Sequence, residues 1–226
     1  MSLAHEEKFS YAKPVWAKGL EEERNITLGL YKRIFCEKGN AVLKITCSGF
    51  YKIYLNGGFY YFGPARCAHG YFRVDEIELP LKKGENHIAI KTVNYYVKSF
   101  YSLRQKGFIS AELTHEGDLL AATGAAGEKA FRLFTLSERI RKVQRYSYQR
   151  PFAEAYRLSE DYCGWMTGEK GSNASETETV ITGDKNFLKR NLPHSSFEKA
   201  FPCTKIAVGR VKTGVIPAKY RKDIAC

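Results

Sequence analysis

One segment concentrates side chains suited to recognition: Gly63-Pro64-Ala65-Arg66-Cys67-Ala68-His69-Gly70-Tyr71. A guanidinium, an imidazole and a phenol this close together can be presented on one loop. The same glycines and proline can equally do no more than set a sharp corner between sheets. Aromatic groups come next. Tyr95, Tyr96, Phe100 and Tyr101 cluster after one apolar run, and Trp165 stands in a Gly-rich stretch. A flat π surface accepts the C–H face of a pyranose ring, so either group is a candidate stacking platform. Packing between sheets or against a neighbouring domain calls for the same residue types. The candidate sugar-contacting residues are therefore Arg66, His69, Tyr71, Tyr95, Tyr96, Tyr101 and Trp165.

Signals for catalysis are missing. There is no H-E-x-x-H, G-x-S-x-G, Walker A, post-strand G-x-G-x-x-G or EF-hand pattern. The histidines at 5, 69, 87, 115 and 194 lack metal-ligand spacing. His87 alternates with Ile88 in a strand pattern and reads as structural, and His115 falls in a turn. Glycosidase work needs two carboxyl groups across a sugar ring. Asp75 and Glu76 point to opposite faces of one strand, and neither Glu78, Glu154 nor Glu160-Asp161 is better placed. No catalytic residue, metal site or cofactor is expected.

The six cysteines, at 36, 47, 67, 163, 203 and 226, form no C-x-x-C pair. That spacing argues against a zinc ribbon and a thioredoxin-type site and favours reduced, mostly buried thiols. With no signal peptide visible after Met1, the expected compartment is the cytoplasm, or the periplasm if the native N-terminus has been removed. No apolar run nears the roughly 18 residues of a membrane span. The net charge of +12 comes from both halves of the chain, and Arg139, Arg141, Lys142, Arg145 and Arg150 form its densest stretch. Such a run fits nucleic acid, a solvated face or an acidic neighbouring domain. No recognised nucleic-acid motif accompanies it, so nucleic acid is the disfavoured partner.

The elements that must position these residues read as strands. Aromatics at 14% with only 2 Met suit sheets better than helices. Pro14-Val15-Trp16 is an anchor for the first segment, residues 1–24. Apolar alternation starts at Ile26, Leu28 and Leu30, and strands follow over 42–47, 50–55 and 58–62. Asn56-Gly57 between the last two is a type I′ hairpin signal, because both central residues need positive φ. Further strands are expected over 71–79, 87–93, 107–113 and 118–122, with a hairpin turn at His115-Glu116-Gly117. Short, regular turn spacing without helical stretches predicts an all-β antiparallel sandwich of the jelly-roll or galactose-binding-like kind over 25–165. Ser137 could cap a short helix over 136–145. The remainder, 166–226, reads as a loop-rich extension that could open a second sandwich, with one strand over 204–213.

Three stretches taken in order carry a resemblance. They are Ser48-Gly49-Phe50-Tyr51-Lys52-Ile53-Tyr54-Leu55-Asn56-Gly57, then Gly63-Pro64-Ala65-Arg66, then Leu81 through Ile90. With the later Gln144–Tyr156 stretch and Trp165, this set resembles the N-terminal β-sandwich region of bacterial α-L-rhamnosidases of glycoside hydrolase family 78. The likeness runs from about Trp16 to about Val211. It implies sandwich modules preceding an (α/α)6 barrel that holds the catalytic acids, so the chain would end before the barrel and carry no catalytic residue. The partners implied are that downstream catalytic domain and rhamnose-containing glycans.

Overall fold

A computed structural model describes residues 6–145, 147–169 and 171–210. The fold is an all-β sandwich of two mostly antiparallel sheets. The first sheet runs β12 (Thr179–Ile181), β1 (Val15–Ala17), β8 (Ile109–His115), β3 (Gly39–Cys47), β6 (Tyr71–Leu81) and β13 (Asn186–Lys189), with β9 (Asp118–Ala122) also on β8. The second runs β11 (Ala174–Glu176), β10 (Arg132–Leu136), β2 (Ile26–Cys36), β7 (Gly84–Asn94), β4 (Phe50–Leu55) and β5 (Gly58–Gly63). In the described part of 166–226, β11, β12 and β13 all join these two sheets, and β1 does the same from within 1–24. β13 is the exception in direction: it pairs with β6 in parallel, Asn186 opposite Tyr71.

Period-two alternation sets the core. Leu28 and Leu30 of β2, Ile53 of β4 and Ile88 and Ile90 of β7 face Leu43, Ile45, Leu79 and Leu113 of the other sheet, and all are fully buried. Each such side chain contributes roughly 1.5–3 kcal/mol relative to exposure. Asn56 (φ 51°) and Gly57 (φ 80°) make the expected left-handed turn between β4 and β5. Glu116 (φ 51°) and Gly117 (φ 90°) do the same between β8 and β9. His87 accepts or donates one bond with the Tyr31 hydroxyl at 2.8 Å, and its Nε2 lies 2.8 Å from Glu85 Oε1, as befits a structural residue.

The helix expected over 136–145 is absent. β10 ends at Leu136, and the Ser137 hydroxyl donates to the Asn173 carbonyl instead of capping a helix. The following backbone pairs with 152–157 through Ile140 N–H to Ala155 O (2.8 Å) and Arg157 N–H to Glu138 O (2.7 Å). Glu138 and Arg139 are both buried, each against a distant partner: Lys91 Nζ lies 2.7 Å from Glu138 Oε1, and Arg139 Nη1 donates to Asn25 Oδ1 at 2.8 Å. Long-range pairing overrides the local cap signal. No strand forms over 204–210, which are exposed, and 211–213 lie outside the described residues.

Trp165 is also corrected. It is 1% exposed and packs with Tyr31, Ala89, Phe134 and Leu136 on the outer face of the second sheet, so it is no platform for a ligand. The loop carrying it is pinned by Asp161, whose carboxylate accepts from Ser159 Oγ (2.6 Å), Ser172 Oγ (2.7 Å) and Ser172 N–H (2.7 Å). Those donors hold the Asp161 carboxyl down to about 2, from an ordinary 3.8. A depressed folded value gives stabilisation that is present above the ordinary value and is lost as pH falls through the folded one. Acid titration followed by tryptophan fluorescence should therefore show a change between those limits that Asp161→Asn lacks. Superimposable acid profiles of the two proteins would refute the link.

Candidate functional site

Three connections meet at one end of the sandwich: Ser48-Gly49 between β3 and β4, 64–70 between β5 and β6, and 95–108 between β7 and β8. The 64–70 corner crosses from one sheet to the other after a cis Gly63–Pro64 bond, and Arg73 Nε donates to Arg66 O at 3.0 Å to hold it. It is thus both a corner and a presenting loop. Polar side chains tie down the 95–108 loop. Ser99 Oγ accepts from the N–H groups of Tyr101 and Ser102, both at 3.0 Å, and Gln105 Nε2 donates to Ser48 O at 2.6 Å.

Between these loops lies a cleft of about 330 Å³. Five of the seven candidates from the sequence line it: Arg66, His69, Tyr71, Tyr95 and Tyr101. Arg66 and His69 are exposed, Tyr71 and Tyr101 are 46% and 42% exposed, and Tyr95 is buried in its floor. Phe100, 72% exposed, stands on the lip. Burial pushes the Tyr95 phenol upward, so it acts as a neutral group. Cys47, also in the floor, has its thiol pushed up to about 12 by burial and is no nucleophile.

Tyr96 does not join them. Its backbone is left-handed (φ 45°), its hydroxyl donates to Glu22 Oε2 at 2.9 Å, and Arg104 covers its ring at 4.9 Å. Residues on an irregular loop point where the backbone sends them, and no spacing rule separates Tyr95 from Tyr96. Arg150 is the residue the sequence reading left unassigned. Its guanidinium carbon lies 4.7 Å from the Tyr101 ring centroid, as does that of Arg66. Its membership of an acid-free basic run was the available signal.

A second groove of about 210 Å³ lies on the outer face of the second sheet, lined by Lys52, Lys91, Arg139, Glu154 and Tyr156. Phe50 and Phe62, stacked at 5.5 Å, form its apolar wall. A glycosidase acid needs a raised pKa. Burial pushes Glu154 up, but the Tyr156 hydroxyl (2.7 Å) and the nearby Arg139 charge outweigh it and hold the carboxyl below its ordinary value. Glu154 is therefore a poor proton donor at neutral pH. Among the described residues no three His, Cys, Asp or Glu side chains come together as a metal site would require, and no helix is long and apolar enough to cross a membrane.

Neither a protein-family model nor a curated protein matches the sequence. Solved structures do match. A glycoside hydrolase family 78 rhamnosidase of Bacillus sp. GL1 superimposes with a TM-score of 0.69 at 24% identity, over 83% of this chain and 20% of that one. The native α-L-rhamnosidase from Aspergillus terreus gives a TM-score of 0.52 at 14% identity, over 80% of this chain and 22% of that one. The fold recurs in rhamnosidases. This chain spans about a fifth of their length, and at these identities what is shared is the sandwich itself.

Proposed function

We propose that this chain is a non-catalytic, sugar-associated β-sandwich of an α-L-rhamnosidase-type glycoside hydrolase, packed in its parent protein beside the catalytic domain. One observation carries the reading: most of the chain superimposes on about a fifth of a family 78 rhamnosidase. The ordered Asn56-Gly57, Gly63-Pro64-Ala65-Arg66 and Leu81–Ile90 features support it from the sequence side. So does Glu154, the acid best placed in a groove, which is tuned away from general-acid work. Incubated with an aryl α-L-rhamnoside, the purified chain is expected to release no phenol above a blank. Measurable turnover would remove the word non-catalytic.

The cleft favours a second reading, a carbohydrate-binding module. Its five convergent candidates and its exposed Phe100 make a concave, mixed polar and aromatic surface of the kind small ligands use. Under this reading, rhamnosides or plant-polysaccharide fragments bind the isolated chain in the millimolar range. Calorimetry or a glycan array without any binding at that level would end it.

A further inference from the structure

The chain holds 36 Lys and Arg against 24 Asp and Glu, and the excess gathers in few places. Residues 64–73, 95–108 and 139–152 hold two, three and five Lys or Arg respectively, and no Asp or Glu. The fold brings the three segments together. Phe100 N–H donates to Gln149 O at 3.0 Å, Arg145 Nη2 to Lys98 O at 3.2 Å, and Arg66 and Arg150 share one aromatic ring. Among the described residues no carboxylate lines the cleft between the first two segments.

Five of these ten cations already have work. Arg145 bonds the carbonyls of Lys98, Tyr148 and Arg150, and Arg73 bonds Arg66 O and Asn191. Arg141 pairs with Glu23, Lys106 with Glu22 at 2.8 Å, and Arg139 is buried against Asn25. Arg66 and Arg150 differ. Both are exposed, and among the described residues neither guanidinium has a carboxylate or carbonyl partner. What they have is Tyr101, its centroid 4.7 Å from each, which places the two charges less than about 10 Å apart, within a Debye length. Two like charges gathered on one ring repel, and an anion bound beside them relieves the repulsion. Guanidinium forks match a carboxylate geometrically and bond it more strongly than a neutral group.

We propose that this cleft binds an acidic sugar, a uronic acid whose carboxylate is held by Arg66 and Arg150 beside Tyr101 while its ring lies against Tyr71 and Phe100. This rests on the carbohydrate-binding reading and names its ligand class. Arg66 lines the cleft of about 330 Å³, the lower end of small-ligand sites, and Arg150 reaches its edge over the Tyr101 ring that also lines it.

The test is calorimetric titration of the full chain with a methyl glycoside of galacturonic acid, the methyl ester of that glycoside, methyl α-L-rhamnoside, inorganic phosphate and a short single-stranded DNA. The uronide is expected to bind about tenfold or more tighter than its neutral ester, more weakly as salt rises, and about tenfold more weakly to Arg66→Gln and to Arg150→Gln. Thermal unfolding of both variants should match the parent, since both side chains are exposed. Equal binding of uronide and ester, or of uronide and rhamnoside, overturns the acidic-sugar assignment and leaves the carbohydrate reading standing. Phosphate or DNA binding as tightly as the uronide overturns it in favour of an unselective anion site. If no sugar binds at all, both readings fall together.

Discussion

Replacing Arg190 by alanine is expected to cost the fold about 3–5 kcal/mol. Asp75 of β6 is fully buried at 0% exposure, and the Arg190 side chain is only 10% exposed. Arg190 Nη1 lies 2.8 Å from Asp75 Oδ1 and 3.1 Å from the Tyr61 hydroxyl, while its Nη2 donates to Pro193 O at 2.6 Å. The Tyr51 hydroxyl donates to the other carboxylate oxygen. Burial, then the charge on Asp75, pushes the Tyr51 phenol well above its ordinary value, so it stays a donor at neutral pH. Remove the guanidinium and a buried carboxylate is left with one phenol. It must then stay ionised in an apolar site or take up a proton, and either is unfavourable.

The comparison that isolates this cause is Asp75→Asn combined with Arg190→Met. The pair removes both charges, so it should lose less than Arg190→Ala alone. Urea unfolding of the three proteins decides. A single-mutant loss under about 1 kcal/mol, or a double mutant as unstable as the single, would sink the account. The effect should reach the cleft as well. Arg190 follows β13, which pairs with Tyr71–Val74 of β6, and Tyr71 and Arg73 form one side of the cleft.

That network also shows why the sandwich was legible in the sequence and its closure was not. The β4–β5 hairpin is written locally, in Asn56-Gly57 and the alternation around it. Gly63 looked like mere punctuation before Pro64. In the fold, a Cβ there would come within 2.5 Å of both Asp75 Oδ2 and the Tyr51 hydroxyl, so the glycine makes room for the buried pair. Nothing local reveals that, because Arg190 stands 115 residues from Asp75. The strands β1, β11, β12 and β13 are three or four residues long, too short for a period to register, and β1 meets β12 by Val15 opposite Ile181. Five cleft residues were legible because consecutive antiparallel strands return their loops to the same end. Tyr96 and Trp165 were misread because burial and direction on a loop depend on what the rest of the chain lays over it.

Trp165→Ala should be the second large loss, about 3–5 kcal/mol, with the inter-sheet core left intact. The indole lies on β2 where Gly29 leaves space: a Cβ at Gly29 would come within 2.7 Å of the ring carbon Cζ3. Phe134 packs beside it at a centroid distance of 6.5 Å. Strands hydrogen-bonded on both sides cannot sink into the hole, so the void persists and its lining loses contacts. Gly29→Ala alone forces the ring outward and should cost about 1–3 kcal/mol. In Trp165→Ala the same added methyl has room and fills part of the void. The double mutant should therefore lose less than the two single losses taken together, by at least about 1 kcal/mol, a coupling expected only of residues in contact. Additive losses would show that the indole does not sit on Gly29. Since Trp165 is not among the residues lining the cleft, sugar binding there should survive the substitution. Binding lost along with the indole would return Trp165 to the ligand-contacting role that its burial now denies it.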